Sequence, residues 1–198
     1  MRIGLLGGSF DPAHAGHRAV SLVALRALKL DQVWWLVSPR NPLKPNAPNA
    51  DFARRVLAAR KITGDRRIKV TGIEGALGTR YTADTLRRLA PRLAGVEVVW
   101  LMGADNLAQF HLWDRWQTIA ASIPMAVFNR PGLALRALGS PAAHALSWAR
   151  MPERAAGRLP SSRAPAWVFL TNPQIDLSST ALRTGRFSER GRLESVNV

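Results

Sequence analysis

Cysteine is absent from the 198 residues, which removes disulfides, zinc-thiolate centres and thiol nucleophiles from consideration. Long apolar runs are absent too, and nothing approaches the roughly 20 residues that a membrane span requires. The apolar stretch behind Met1-Arg2 meets charge at Asp11, too early for the core and cleavage site of a secretory signal. A cytoplasmic setting with no membrane partner is therefore expected. Acidic residues are scarce, 13 against 28 basic ones, and the net charge of +15 suggests an anionic partner. Yet 24 of the basic residues are arginines spread along the whole chain, densest only at Arg54-Arg55, Arg66-Arg67 and Arg87-Arg88. That dispersion reads more simply as a solvated surface than as a polynucleotide-binding stripe, so nucleic acid is not the expected partner. Two phosphate fingerprints are missing as well: the spacing G-x-G-x-x-G at the first turn, and a P-loop anywhere.

What is present is alternation of strand and helix patterns. Arg2 to Leu6, Gln32 to Val37, Ile68 to Ile73, Val96 to Met102, Met125 to Phe128 and Trp167 to Leu170 read as about six strands. Helical spacing runs over Gly16 to Leu30, from a cap at Asp51 to about Thr63, over Thr82 to Leu93, and over Asp105 to Ala121 as one helix or two. A last helix starts at Ser178 to Arg183. The pattern predicts one α/β domain over residues 1–198, a Rossmann-like, doubly wound parallel sheet with helices on both faces. The stretch 131–165 is poorly patterned; Ser140 and Pro141 offer a cap and first turn for one helix, flanked by mobile segments. Residues 188–198 read as a tail.

In such a sheet the first strand-to-helix turn is the usual phosphate site. Here it reads GGSFDPAHAGH, residues 7–17. Gly7 and Gly8 allow the backbone to approach an anion without a Cβ in the way. His14 and His17 stand three apart at the start of a helix, where both imidazoles reach the mouth of the turn beside the positive helix end. With Asp11 they form a candidate metal set, and they also fit a purely structural role; phosphate binding is the reading this position favours. Further along, Ser178, Ser179 and Thr180 precede Arg183 by one turn, either as a helix cap or as an anion site. Asp105 caps its helix or serves a ligand. Trp113 is a core residue or a partly exposed ring, and Arg130 a surface arginine or a phosphate contact. Thr82 reads as a cap, leaving the amides of Ala83, Asp84 and Thr85 facing outward toward an anion. His111 and His144 read as solvent-facing or structural.

The stretch GGSFDPAHAGH resembles the H-x-G-H signature of the nucleotidyltransferase superfamily, in the form found in bacterial nicotinate-nucleotide adenylyltransferases. Four further stretches are similar to that family in the same order: SPRNPLK (Ser38 to Lys44), YTADTL (Tyr81 to Leu86), GADNLAQFHLW (Gly103 to Trp113) and LSSTALR (Leu177 to Arg183). Leu43 stands where members often carry a histidine. The resemblance implies transfer of AMP from ATP to nicotinate mononucleotide, giving nicotinate adenine dinucleotide and pyrophosphate, with Mg²⁺ bound through the ATP phosphates rather than by protein ligands. It implies catalytic roles for His14, His17 and Arg183. For ATP it implies Gly7, Gly8, Ser9, Phe10, His14, His17, Lys44, Asp105, Ser178, Ser179, Thr180 and Arg183. For the mononucleotide it implies Ser9, Lys44, Thr82, Asp84, Thr85, Asp105, Trp113 and Arg130. A sister enzyme using phosphopantetheine or nicotinamide mononucleotide is the nearest alternative, a basic nucleic-acid-binding domain a remoter one, and a homo-oligomer is compatible with all three.

Overall fold

The computed structural model describes residues 1–39 and 51–171. Its seven strands form one parallel sheet, one more than the sequence pattern predicts. They are β1 (Arg2–Gly8), β2 (Gln32–Val37), β3 (Ile68–Thr71), β4 (Glu97–Gly103), β5 (Met125–Phe128), β6 (Arg150–Met151) and β7 (Trp167–Leu170). Their order is β3-β2-β1-β4-β5-β7-β6. The extra strand is the two-residue edge β6, too short to leave a periodicity, which pairs Arg150 with Trp167 and Met151 with Val168. β1 runs two residues further than its apolar core suggests, because Gly7 and Gly8 still pair with Leu36 and Val37.

The eight α-helices of the described residues are α1 (Ala15–Ala27), α2 (Phe52–Ile62), α3 (Ile73–Leu77), α4 (Thr82–Leu89), α5 (Ala104–Ala108), α6 (Trp116–Ser122), α7 (Ala134–Leu138) and α8 (Pro141–Ala145). Both faces of the sheet carry a buried apolar layer. One gathers Leu5, Trp100, Met102, Phe110 and Trp167, the other Leu6, Trp35, Leu101, Phe128 and Val168. Continuous apolar strands such as Met125–Phe128, buried at every residue, are what a sheet covered on both sides requires. No helix among the described residues is long and apolar enough to cross a membrane.

Several expected boundaries shift. Residues 131–165 hold two short helices, α7 and α8, then 3-10 turns at Ser147–Ala149 and Glu153–Ser161 on either side of β6, rather than one helix in a mobile stretch. Ser140 does cap, its hydroxyl accepting from the Ala143 amide. The helix predicted over Thr82 to Leu93 ends at Leu89 and tightens into a 3-10 turn where Pro91 enters. Its N-cap is Tyr81, not Thr82. Asp105 sits inside α5, whose cap is Gly103.

The strand order reverses between β1 and β4, so chain leaves their carboxyl ends in opposite directions and opens a crevice there. The close approach at its floor depends on Gly7: a Cβ there would meet Cη2 of Trp100 at 2.6 Å.

Candidate active site

At the end of β1 the chain turns through Phe10, a non-glycine residue with φ of 47°, and enters α1. The Phe10 ring is buried and stacks on Trp35 at 5.0 Å, so its side chain shapes the turn from inside. The same ring lies 4.7 Å from His17 and fixes that imidazole's tilt. His14 is the N-cap of α1, in extended backbone, and its Nδ1 accepts from the Gly16 amide at 3.1 Å. His17 reciprocates, its Nδ1 accepting from the His14 amide at 3.2 Å. Two histidines thus build the capping box that Ser or Thr with Glu usually forms.

This local bonding dictates chemistry. With both Nδ1 lone pairs occupied, each neutral ring must carry its proton on Nε2. Burial, reinforced by the Arg130 guanidinium, pushes His14 down from the ordinary value to about 4. Burial, then His14 and Arg130, push His17 to about 3. Both rings are therefore uncharged donors near neutral pH, 3.9 Å apart. The Nε2 of His14 is buried with no hydrogen-bond partner among the described residues, which marks a donor awaiting an acceptor. A metal pair is the reading this disfavours: the free edges donate, and no group of three His, Asp or Glu among the described residues is placed to hold an ion.

Arg55 of α2 supports this turn from behind. Its buried guanidinium donates to the carbonyls of Ser9 at 2.5 Å, Ser38 at 2.8 Å and Pro39 at 2.8 Å, tying the first turn to the loop after β2. Across the crevice, at the ends of β4 and β5, Arg130 Nε lies 3.2 Å from Asp105 Oδ1. That pair sits against Gly103, filling the space a Cβ there would need. Gly7, Gly8, Ser9, His14, His17, Asp105 and Arg130 therefore flank the carboxyl ends of β1, β4 and β5.

A second wall comes from α4 and the segment after α5. In the first turn of α4 the amides of Asp84 and Thr85 both donate to the Tyr81 carbonyl at 3.1 Å. Thr85 is fully buried, its hydroxyl 2.8 Å from that of Thr79. The amides that α4 leaves without an intrahelical acceptor are those of Thr82 and Ala83, so the expected outward-facing roles of the Asp84 and Thr85 amides are corrected: the first turn of the helix already uses both. Trp113 is half-buried, edge-on to Phe110 at 5.4 Å and Trp100 at 6.4 Å. It is a core residue on one side and a ring at the surface on the other. Lys44, Ser178, Ser179, Thr180 and Arg183, with the helix expected at Ser178, lie outside the described residues.

Three charged residues escape a reading of the sequence: Arg55, Glu74 and Arg115. Glu74 lies in α3, buried against α4, and burial pushes its carboxyl up to about 7 although a hydrogen bond from Thr85 opposes this. A carboxyl raised by folding stabilises fully below its unfolded value near 4.5, and that stability is lost as pH rises through 7. Glu74→Gln should match the unaltered chain at about pH 4 and exceed it by about 3 kcal/mol at about pH 8. Urea midpoints at the two pH values check this; a constant difference would mean that Glu74 does not titrate in this range.

Comparisons with known proteins bear on the family and the fold. The description of cytidylyltransferase-like proteins matches residues 5–185. A protein of a Bradyrhizobium strain named a probable nicotinate-nucleotide adenylyltransferase is 57% identical over 92% of this chain and 95% of its own. One of the same name from Cereibacter sphaeroides is 55% identical over 94% of this chain and 99% of its own. Among solved structures, nicotinic acid mononucleotide adenylyltransferase of Plasmodium falciparum complexed with NaAD superposes with a TM-score of 0.70. It covers 92% of this chain and 82% of that one at 14% identity, a likeness of fold.

Proposed function

Because the chain belongs to the cytidylyltransferase-like family, and within it to the nicotinate-nucleotide adenylyltransferases, we infer how its crevice moves AMP from ATP to nicotinate mononucleotide. The products are nicotinate adenine dinucleotide and pyrophosphate. The observation that carries the assignment of residues is the histidine capping box, which leaves two neutral imidazoles with Nε2–H at the end of β1.

The acceptor's phosphate is already an anion, so no side chain has to become a nucleophile. The reaction needs the α-phosphorus of ATP and that phosphate oxygen aligned, and negative charge stabilised as pyrophosphate leaves. His14 and His17 are the donors for that charge, held in place before the substrate arrives. Neutral rings suit this role because they donate without the desolvation penalty of two adjacent cations. Gly7, Gly8 and Ser9 bring backbone close to the nucleotide. Asp105 accepts from ribose hydroxyls while Arg130 orients it and faces phosphate. Lys44, Ser178, Ser179, Thr180 and Arg183 complete the triphosphate site in this proposal. On the acceptor side, Trp113 stacks on the pyridine ring and the Thr82 and Ala83 amides receive its carboxylate.

A divalent cation, Mg²⁺ in our reading, supplies charge neutralisation on the phosphates and is carried by them. The side chains of the crevice fit that arrangement, since Asp105 is already engaged by Arg130 and the histidine edges that face outward are donors.

Incubating the protein with ATP and Mg²⁺, and offering nicotinate mononucleotide, phosphopantetheine or no acceptor, tests the reading through released pyrophosphate. Release should depend on the mononucleotide. Equal release with phosphopantetheine, or release without an acceptor, would overturn it.

A further inference from the structure

Arg115 follows Trp113 by two residues and holds a left-handed backbone, φ 51° and ψ 40°, which a non-glycine residue adopts only when its surroundings hold it there. Its guanidinium forms a clamp between two carboxylates. Its Nε meets Asp114 Oδ2 at 2.7 Å and its Nη2 meets Asp84 Oδ2 at 2.8 Å. Asp84 is the third residue of α4, immediately after the two outward-facing amides, and its other oxygen is 3.4 Å from Arg87. One guanidinium therefore joins the segment carrying Trp113 to the first turn of α4.

The clamp stands half in solvent, with 46% of the Arg115 side chain exposed, so its worth to stability is small. Its electrostatic consequence is larger. A helix N-terminus attracts an anion, but a bare carboxylate at Asp84 would oppose any second carboxylate brought to the Thr82 and Ala83 amides. Pairing with Arg115, and more weakly with Arg87, removes that opposition. The Asp84 carboxyl is correspondingly held below its ordinary range, with Arg115 as the first cause.

We propose that Arg115 is a specificity-determining residue: by covering the Asp84 carboxylate it lets this helix end accept a negatively charged pyridine substituent in preference to a neutral one. The proposal rests on the acceptor site assigned above. Its effect must therefore appear in the choice between nicotinate and nicotinamide mononucleotides, which a merely structural role would impair alike.

The experiment compares kcat/KM for the two mononucleotides in the unaltered protein, Arg115→Gln, Arg115→Lys, Asp84→Asn and the double variant Asp84→Asn/Arg115→Gln. In Arg115→Gln the preference for the nicotinate form should fall about five-fold, through its KM, with the KM for ATP unchanged. Arg115→Lys should retain most of the preference. In the Asp84→Asn background, Arg115→Gln should shift the preference by less than about two-fold, because the charge to be covered is gone. Equal losses on both acceptors, or an unchanged ratio in Arg115→Gln, would overturn the proposal while leaving the overall function standing. Should Arg115→Gln fail to fold, Asp84→Asn decides, since a lowered preference there contradicts the covering role. An unaltered protein that ignores nicotinate mononucleotide would overturn the functional reading itself.

Discussion

His17→Ala is expected to lower kcat by at least about 100-fold, the scale for losing one preorganised donor to developing charge, while the protein stays folded. The fold survives because the lost packing is limited. The imidazole contributes one capping bond, from the His14 amide, worth about 1 kcal/mol, and ring contacts to Phe10 and Trp35 that are themselves buried. Turnover suffers because the Nε2–H has no substitute. Its Nδ1 is consumed by the cap, and His14 is the one other described histidine at this turn: His111 and His144 belong to the segments after α5 and within α8. Steady-state rates at saturating ATP and mononucleotide, beside circular dichroism of the variant, check the expectation. A folded variant within a few-fold of normal turnover would remove His17 from the chemistry.

Nicotinate mononucleotide should exceed nicotinamide mononucleotide in kcat/KM by at least about 10-fold, because a charge-assisted bond to a backbone amide is roughly twice as strong as a neutral one. The two ligands differ only in a carboxylate against an amide. The Thr82 and Ala83 amides both donate, and a carboxylate offers an oxygen to each. A carboxamide offers one oxygen, and its NH₂ leaves the second donor opposed or unmet, at about 1 to 3 kcal/mol. Asp84 would work against this, but Arg115 and Arg87 engage it. Direct competition of the two mononucleotides at fixed ATP and Mg²⁺ measures the ratio. Equal or reversed efficiency would contradict the assignment of the helix end.

The sheet was legible because its strands are buried on both faces and so stand out as apolar runs between glycines and prolines. What escaped lacks that signature. β6 pairs two residues at an edge, below any periodicity. The 131–165 segment breaks into five-residue helices and 3-10 turns, each too short for a repeat to register. In the site, the histidine pair was visible as a motif but its capping role was not, because histidine is outside the usual set of cap residues. Thr82 attracted the cap assignment for the opposite reason, its residue type, although the chain places Tyr81 there without a side-chain cap. Arg55, Glu74 and Arg115 were hidden by composition. Among 24 arginines nothing distinguishes one that donates to three carbonyls, except that Arg55 shares a helix face with buried Ala59. Glu74 reads as one more polar residue in a short loop until burial is known.

The claim on which the rest depends is that His14 and His17 present neutral Nε2–H groups to phosphate, and ¹⁵N-edited imidazole spectra test it most directly. The chain has four histidines, so single substitutions assign every signal. Near neutral pH both His14 and His17 should be uncharged with the proton on Nε2, and a non-hydrolysable ATP analogue with Mg²⁺ should shift those two Nε2 signals while leaving His111 and His144 in place. Rings that are cationic or protonated at Nδ1 in the free protein, or that do not respond to the analogue, would contradict the account.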